Sequence, residues 1–151
     1  YNYAVTLLSR RDHSVKELTE KLHQKGYTKG TEEAIEKLTA GGYVSDERFA
    51  RLYVRELRTL KKYGKRRIEQ ELFRKGVDRD IISEVLEETD FEESELVGLI
   101  ERKYSRHLGD EKGIQKTVNS LLRMGYSYGE IRDALKTVNE NTEFDDEVIY
   151  E

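Results

Sequence analysis

A phrase returns along this chain at a period of about fifty residues, and it restricts the fold to a row of small helical modules. The phrase is a helix-starting residue, an apolar residue four on, another eight on, and a glycine twelve on. Ser14, Leu18, Leu22 and Gly26 give it first, and Gly64, Ile68, Leu72 and Gly76 give it again. Gly113, Leu121 and Gly125 give a weaker third copy, with Thr117 in the remaining apolar slot. A helical pattern precedes each phrase and a short one follows each closing glycine. The reading is therefore an all-α chain of three tandem three-helix repeats, helix-turn-helix-like units over residues 1–44, 45–89 and 90–138, with an acidic tail over 139–151. If each unit touches only its neighbours, the expected shape is an elongated curved rod on the order of 60 Å long. Arrays of this kind are usually binding scaffolds.

Local signals place the helices. Ser14 with Glu17 and Ser127 with Glu130 read as capping boxes, in which side chain and backbone satisfy each other across the first turn. Asp90 with Glu93 reads as a third. The third helix of the first unit is expected from Thr31 to Ala40, ended by Gly41 and Gly42. Asp78 caps the third helix of the second unit, with Ile82, Val85 and Leu86 inward. Ile131, Ala134 and Leu135 fall at the same offsets after their own glycine. Gly26, Gly76 and Gly125 stand where a left-handed cap is needed. Asp46 and Glu47 read as first-turn acids favoured by the helix dipole, and Arg48 as a partner for an acid of the next unit.

Composition agrees with thin helical layers rather than one thick core. Apolar residues make up 36% and charged residues 38%, and Pro, Trp and Cys are absent. Amphipathic helices need only one apolar stripe each. A chain without Cys has no disulfide framework and no thiolate metal ligands, which fits a reducing cytosol. His13, His23 and His107 show no ligand spacing, so neither a metal nor a cofactor is expected. No run of residues suits a membrane span or a signal peptide. No P-loop, zinc signature or nucleophile elbow is present, so the reading is a non-enzyme. No long heptad seam is present, so a monomer is expected.

Net charge is −4, but unevenly spread. The tail has six acids and no base, whereas residues 55–67 hold seven basic residues against one acid, Glu56. A local basic strip on an acidic chain points to a specific anionic partner surface. The candidate partner- or phosphate-binding residues are Arg55, Arg58, Lys61, Lys62, Lys65, Arg66 and Arg67. Tyr53 and Tyr63 flank the strip and are candidates for stacking on bases. Spacing of three and four would put Arg55, Arg58 and Lys62 on one helical face. Lys65, Arg66 and Arg67 fall in the first turn of the next helix. Positive charge there costs roughly 0.3–1 kcal/mol at exposed sites, so the cluster suggests a purpose other than stability. Free backbone N–H groups at that helix start would add to an anion site.

Two stretches carry a resemblance. Residues 42–50 read GYVSDERFA, and residues 62–72 read KYGKRRIEQEL, followed by RKGV at 74–77. With the opening LLSRRDHSVKELTEKL and its KGY, they resemble the RecX family of bacterial RecA modulators. The third unit, with RKYSRHLGD and LLRMGYSYGEIRDAL, resembles it more loosely. One departure is Lys65, where many members have Pro. The resemblance implies a cytoplasmic, all-helical protein of three tandem three-helix repeats. It implies binding to the RecA nucleoprotein filament, by insertion into the filament groove near single-stranded or duplex DNA. It further implies reduced ATP hydrolysis, coprotease activity and strand exchange, and so regulation of recombination, DNA repair and the SOS response. The competing reading is a direct DNA-binding module, since three-helix units of this size resemble helix-turn-helix folds. Overall acidity opposes it. A helical adaptor for some other partner is the third reading.

Overall fold

The structure, a computed structural model, describes residues 1–142. Among them all regular structure is helical, in three successive groups of three. The first group is α1 (Asn2–Arg10), α2 (Val15–Gln24) and α3 (Thr31–Ala40). The second is α4 (Asp46–Glu56), α5 (Lys65–Arg74) and α6 (Arg79–Glu88). The third is α7 (Glu93–Lys103), α8 (Glu111–Arg123) and α9 (Tyr128–Thr142). Between α4 and α5 lies a wide π-helical turn, Leu57–Lys61, and between α7 and α8 a short 3-10 turn, Ser105–His107. α9 runs on to Thr142, past residue 139 where the acidic tail was expected to begin. Residues 143–151 of that tail lie outside the described residues.

The chain divides into two compact units. The first comprises Tyr1–Glu56 and Glu69–Thr89; the second comprises Leu57–Ile68 and the chain from Asp90 onward.

In the first unit Ala4, Leu7, Leu18, Leu22, Ile35, Leu38 and Val44 form one core. They are the apolar stripes of α1, α2 and α3, and full burial of each Leu or Ile contributes about 1.5–3 kcal/mol. The Ser14 box is present: its Oγ accepts from the Glu17 N–H at 3.1 Å, and its N–H donates to Glu17 Oε1 at 3.3 Å. Asp46 does more than sit in a first turn. Its Oδ1 accepts from the Val15 N–H at 2.9 Å, capping α2 from another helix. Burial pushes the Asp46 carboxyl up, against the pull of that N–H. Arg48 pairs backward instead of forward. Its guanidinium meets Asp12 at 3.0 Å and donates to the Gly42 and Tyr43 carbonyls, closing the link from α3 to α4.

In the second unit Leu96, Leu99, Ile100, Leu108, Ile114, Val118, Leu121, Ile131, Ala134, Leu135 and Val138 form the core. Ser127 and Glu130 exchange both bonds of their capping box, at 3.0 and 3.1 Å. The box expected at Asp90 is absent. α7 begins at Glu93 with Glu92 as its cap residue and no side-chain cap bond. Arg58 holds the segment back, bonding the Asp90 carbonyl while its guanidinium lies 4.9 Å from the Phe91 ring centre. α8 starts before the expected glycine. Asp110 caps it by accepting the Gly113 N–H at 2.7 Å, and Gly113 has no Cβ to collide with the His107 carbonyl.

Candidate partner-binding surface

Seven of the nine predicted site residues lie in the second unit: Arg58, Lys61, Lys62, Tyr63, Lys65, Arg66 and Arg67. Tyr53 and Arg55 belong to the first. Their surroundings sort them into residues held by the fold and residues open to solvent.

The regular α-helical face expected of Arg58 and Lys62 is interrupted, although both line one cleft. The π-helical turn Leu57–Lys61 is wider than an α-turn, and Lys62 leaves the helix at φ +59°. The left-handed region is costly for a residue with a side chain, roughly 1–2 kcal/mol. Tyr126 holds Lys62 there, its hydroxyl donating to the Lys62 carbonyl at 2.5 Å. Burial, followed by Glu95 and Glu130, pushes the Tyr126 phenol up to about 12, so it stays a donor.

The N-terminus of α5 meets the C-terminus of α8. The Gly64 N–H donates to the Met124 carbonyl at 2.8 Å, and the Arg66 N–H to the Gly125 carbonyl at 3.2 Å. The Arg67 guanidinium donates to the Arg123 carbonyl at 3.1 Å and lies 4.6 Å from the centre of the Tyr63 ring. A Cβ on Gly64 would stand 2.7 Å from the Gly125 carbonyl group, and one on Gly125 (φ +101°) would stand 2.4 Å from Arg67. Two glycines therefore let two backbones touch. Two of the N–H groups expected to serve an anion, those of Gly64 and Arg66, are taken by carbonyls, and the positive first turn of α5 answers the negative end of α8.

Arg58 is also structural. It bonds the Asp90 carbonyl at 2.6 Å and Glu95 at 2.7 Å. Tyr63 gives one face to Arg67. In the first unit Tyr53 stacks on Phe49 at 5.2 Å with Lys75 Nζ 5.6 Å from its ring centre, so it packs inside a cleft wall. What remains exposed and without an ion-pair partner among the described residues is Lys61, Lys62, Lys65 and Arg66, with Arg55 in the first unit. A cleft of about 280 Å³ opens beside Lys62, lined also by Arg58, Tyr63, Glu95, Arg102 and Tyr126. Arg102 escaped the sequence reading, since it lies 35 positions beyond the end of the basic strip and no local pattern ties it there. Among the described residues no group of His, Asp or Glu side chains could hold a metal ion.

Comparison with known proteins gives these surfaces a family. Residues 1–38 match the model of the first three-helix domain of RecX, and residues 45–86 that of the second. The regulatory protein RecX of Vibrio parahaemolyticus is 37% identical over 141 residues, covering 91% of this chain and 90% of that protein. The regulatory protein RecX of Legionella pneumophila is 36% identical, covering 91% and 93%. The crystal structure of RecX from Lactobacillus salivarius superimposes with a TM-score of 0.78 at 27% identity, covering 92% of this chain and 94% of that one. The paired domain matches and the near full-length identity agree with the repeat read from the glycines: the chain belongs to the RecX family of regulatory proteins.

Proposed function

We propose that this chain binds the RecA nucleoprotein filament and mainly inhibits it, lowering RecA ATPase, coprotease and recombinase activity and so regulating DNA repair and the SOS response. The observation that carries the reading is membership of a regulatory family along nine-tenths of the chain. The exposed cations Lys61, Lys62, Lys65 and Arg66 support it as the surface that meets acidic RecA groups or phosphate. The repeats at 1–44, 45–89 and 90–138 act as docking modules, and the protein works as a non-catalytic cytoplasmic monomer.

The test is RecA ATPase on single-stranded DNA with this protein titrated in. Stoichiometric slowing supports the reading, and its absence ends it. Reversal of Lys61, Lys62, Lys65 and Arg66 to Glu should abolish filament binding while the helical spectrum stays unchanged. Arg58 and Arg67 are left intact, because their loss would disturb the fold. Binding to bare DNA that collapses as salt rises would instead favour the DNA-binding module.

A further inference from the structure

The three repeats end their second helices identically, and two of those ends are occupied. At each, the residue after the glycine donates six-to-one to the helix: Tyr27 to Leu22 at 3.0 Å, Val77 to Leu72 at 3.1 Å, Tyr126 to Leu121 at 3.2 Å. Each glycine donates three back, at 3.0, 2.9 and 3.0 Å. All three glycines are left-handed, at φ +99°, +80° and +101°. These are Schellman caps, which satisfy part of the carbonyl end and leave the last carbonyls outward.

In the first unit the end of α5 receives the N-terminus of α2. Ser14 Oγ donates to the Lys75 carbonyl at 2.7 Å, Lys16 Nζ donates to the Arg74 carbonyl at 3.2 Å, and a Cβ on Gly76 would stand 2.6 Å from Lys16. In the second unit the end of α8 receives the N-terminus of α5 in the same manner, through Gly64, Arg66 and Arg67. Both incoming helices have a small residue at the cap and a cation in the first turn.

The end of α2 is the same socket with nothing in it. A Cβ on Gly26 would meet no atom within 4 Å. The Gln24 and Lys25 carbonyls accept no bond among the described residues, and Tyr27 is 51% exposed where Val77 is 3% exposed. We propose that the α2 C-terminus, at Gln24–Lys25–Gly26, is a docking site for the N-terminus of a helix from a partner protein that carries a Gly or Ser cap and Lys or Arg in its first turn. A second copy of this chain does not fit. The α2 and α5 starts are used internally, and the α8 start presents Asp110 and Glu111 to a carbonyl end that repels them. The α4 start joins a Ser45 cap to Arg48, but that guanidinium is held by Asp12 and the Gly42 and Tyr43 carbonyls. The remaining starts among the described residues lack either a Gly or Ser cap or a first-turn cation.

The probe is a stapled helical peptide with the sequence of residues 62–75, titrated into the labelled full chain to about 1 mM, where the weakest useful affinity still registers. Amide resonances of residues 24–27 should move. Gly26→Asn keeps a left-handed cap, since Asn visits that region, but fills the socket. It should weaken peptide binding about tenfold or more, a change of roughly 1.4 kcal/mol. A peptide with Glu at positions 65, 66 and 67 should lose binding to the unchanged protein, an arm that does not depend on how the variant folds. No shifts at saturation, shifts centred on Gly125, or full binding by Gly26→Asn would overturn the proposal. Self-association of the chain that Gly26→Asn abolishes would overturn it too.

Discussion

Glu17→Gln tests the electrostatic anchor of the first unit. Glu17 is 7% exposed and makes four bonds at once. Its Oε1 accepts from the Ser14 N–H and from Arg11, and its Oε2 meets Arg11 at 2.7 Å and Lys75 at 3.0 Å. Burial alone would raise the carboxyl, but the Arg11 and Lys75 contacts overcome it and hold the group at about 2, against an ordinary 4.5. That difference corresponds to about 3 kcal/mol of folding free energy. The folded value lies below the unfolded one, so the contribution is complete above pH 4.5 and is lost as the pH falls toward 2. Glutamine keeps the shape and one acceptor but not the charge. Urea unfolding followed by far-UV circular dichroism should therefore show a loss of about 3 kcal/mol at neutral pH, with a midpoint lower by roughly 6–12 °C on heating. The two proteins should converge as the pH approaches 2. The exposed neighbour Glu20, 4.0 Å from Lys16, serves as control, and Glu20→Gln should cost under about 0.5 kcal/mol. A difference between wild type and Glu17→Gln that is equally large at pH 3 and pH 7 would refute the charge argument.

Gly125→Ala should destabilise by about 3 kcal/mol or more and Gly26→Ala by only about 1–2, because both strain φ but only the first collides with Arg67; thermal melts of the two variants measure the gap. His13 is 2% exposed, its Nδ1–H donates to the Arg11 carbonyl at 3.0 Å, and its Nε2 has no hydrogen-bond partner among the described residues. Burial, then Arg11, lowers its pKa, so the chain should lose stability as pH falls below 6.5, and His13→Asn should flatten that slope in pH-dependent urea titrations. Lys62→Gly should stabilise by about 1 kcal/mol by relieving the left-handed strain, yet weaken filament binding measured by RecA pull-down, since it deletes an exposed cation.

The helices were legible where the signal is local. The Thr31–Ala40 helix, both serine capping boxes and all three closing glycines follow from spacing within a dozen residues. One failure is local, the α8 start, where Asp110 caps the helix three residues before Gly113, but most of the others are long-range. Arg48 finds Asp12 behind it, and Arg58 holds Asp90 and Phe91 away from a cap that their sequence would favour. The basic strip was legible as charge but not as geometry. A wide turn at Leu57–Lys61 leaves no mark in the residue pattern, and it breaks the α-helical path between Arg58 and Lys62. The Gly64 contact with Gly125 joins residues about sixty apart, so no local rule could show that the Gly64 and Arg66 N–H groups are already spent.

That junction also explains a difference in charge that stability alone does not. Gly64 and Arg66 donate their backbone N–H groups to α8, whereas the Lys65 N–H between them makes no such bond. A proline at position 65 would therefore cost the junction nothing, and its fixed φ suits the first helical residue. A proline at 64 or 66 would remove a bond. The lysine here is thus free of structural duty at both its backbone N–H and its exposed side chain, and the same holds for the side chain of Arg66. Arg67 differs, since its guanidinium reaches the Arg123 carbonyl. Within one basic run, the fold claims Arg58 and Arg67, and leaves Lys61, Lys62, Lys65 and Arg66 as charges that the architecture does not require. Under the proposed function, those four are the charges an anionic partner would meet without dismantling the protein that binds it.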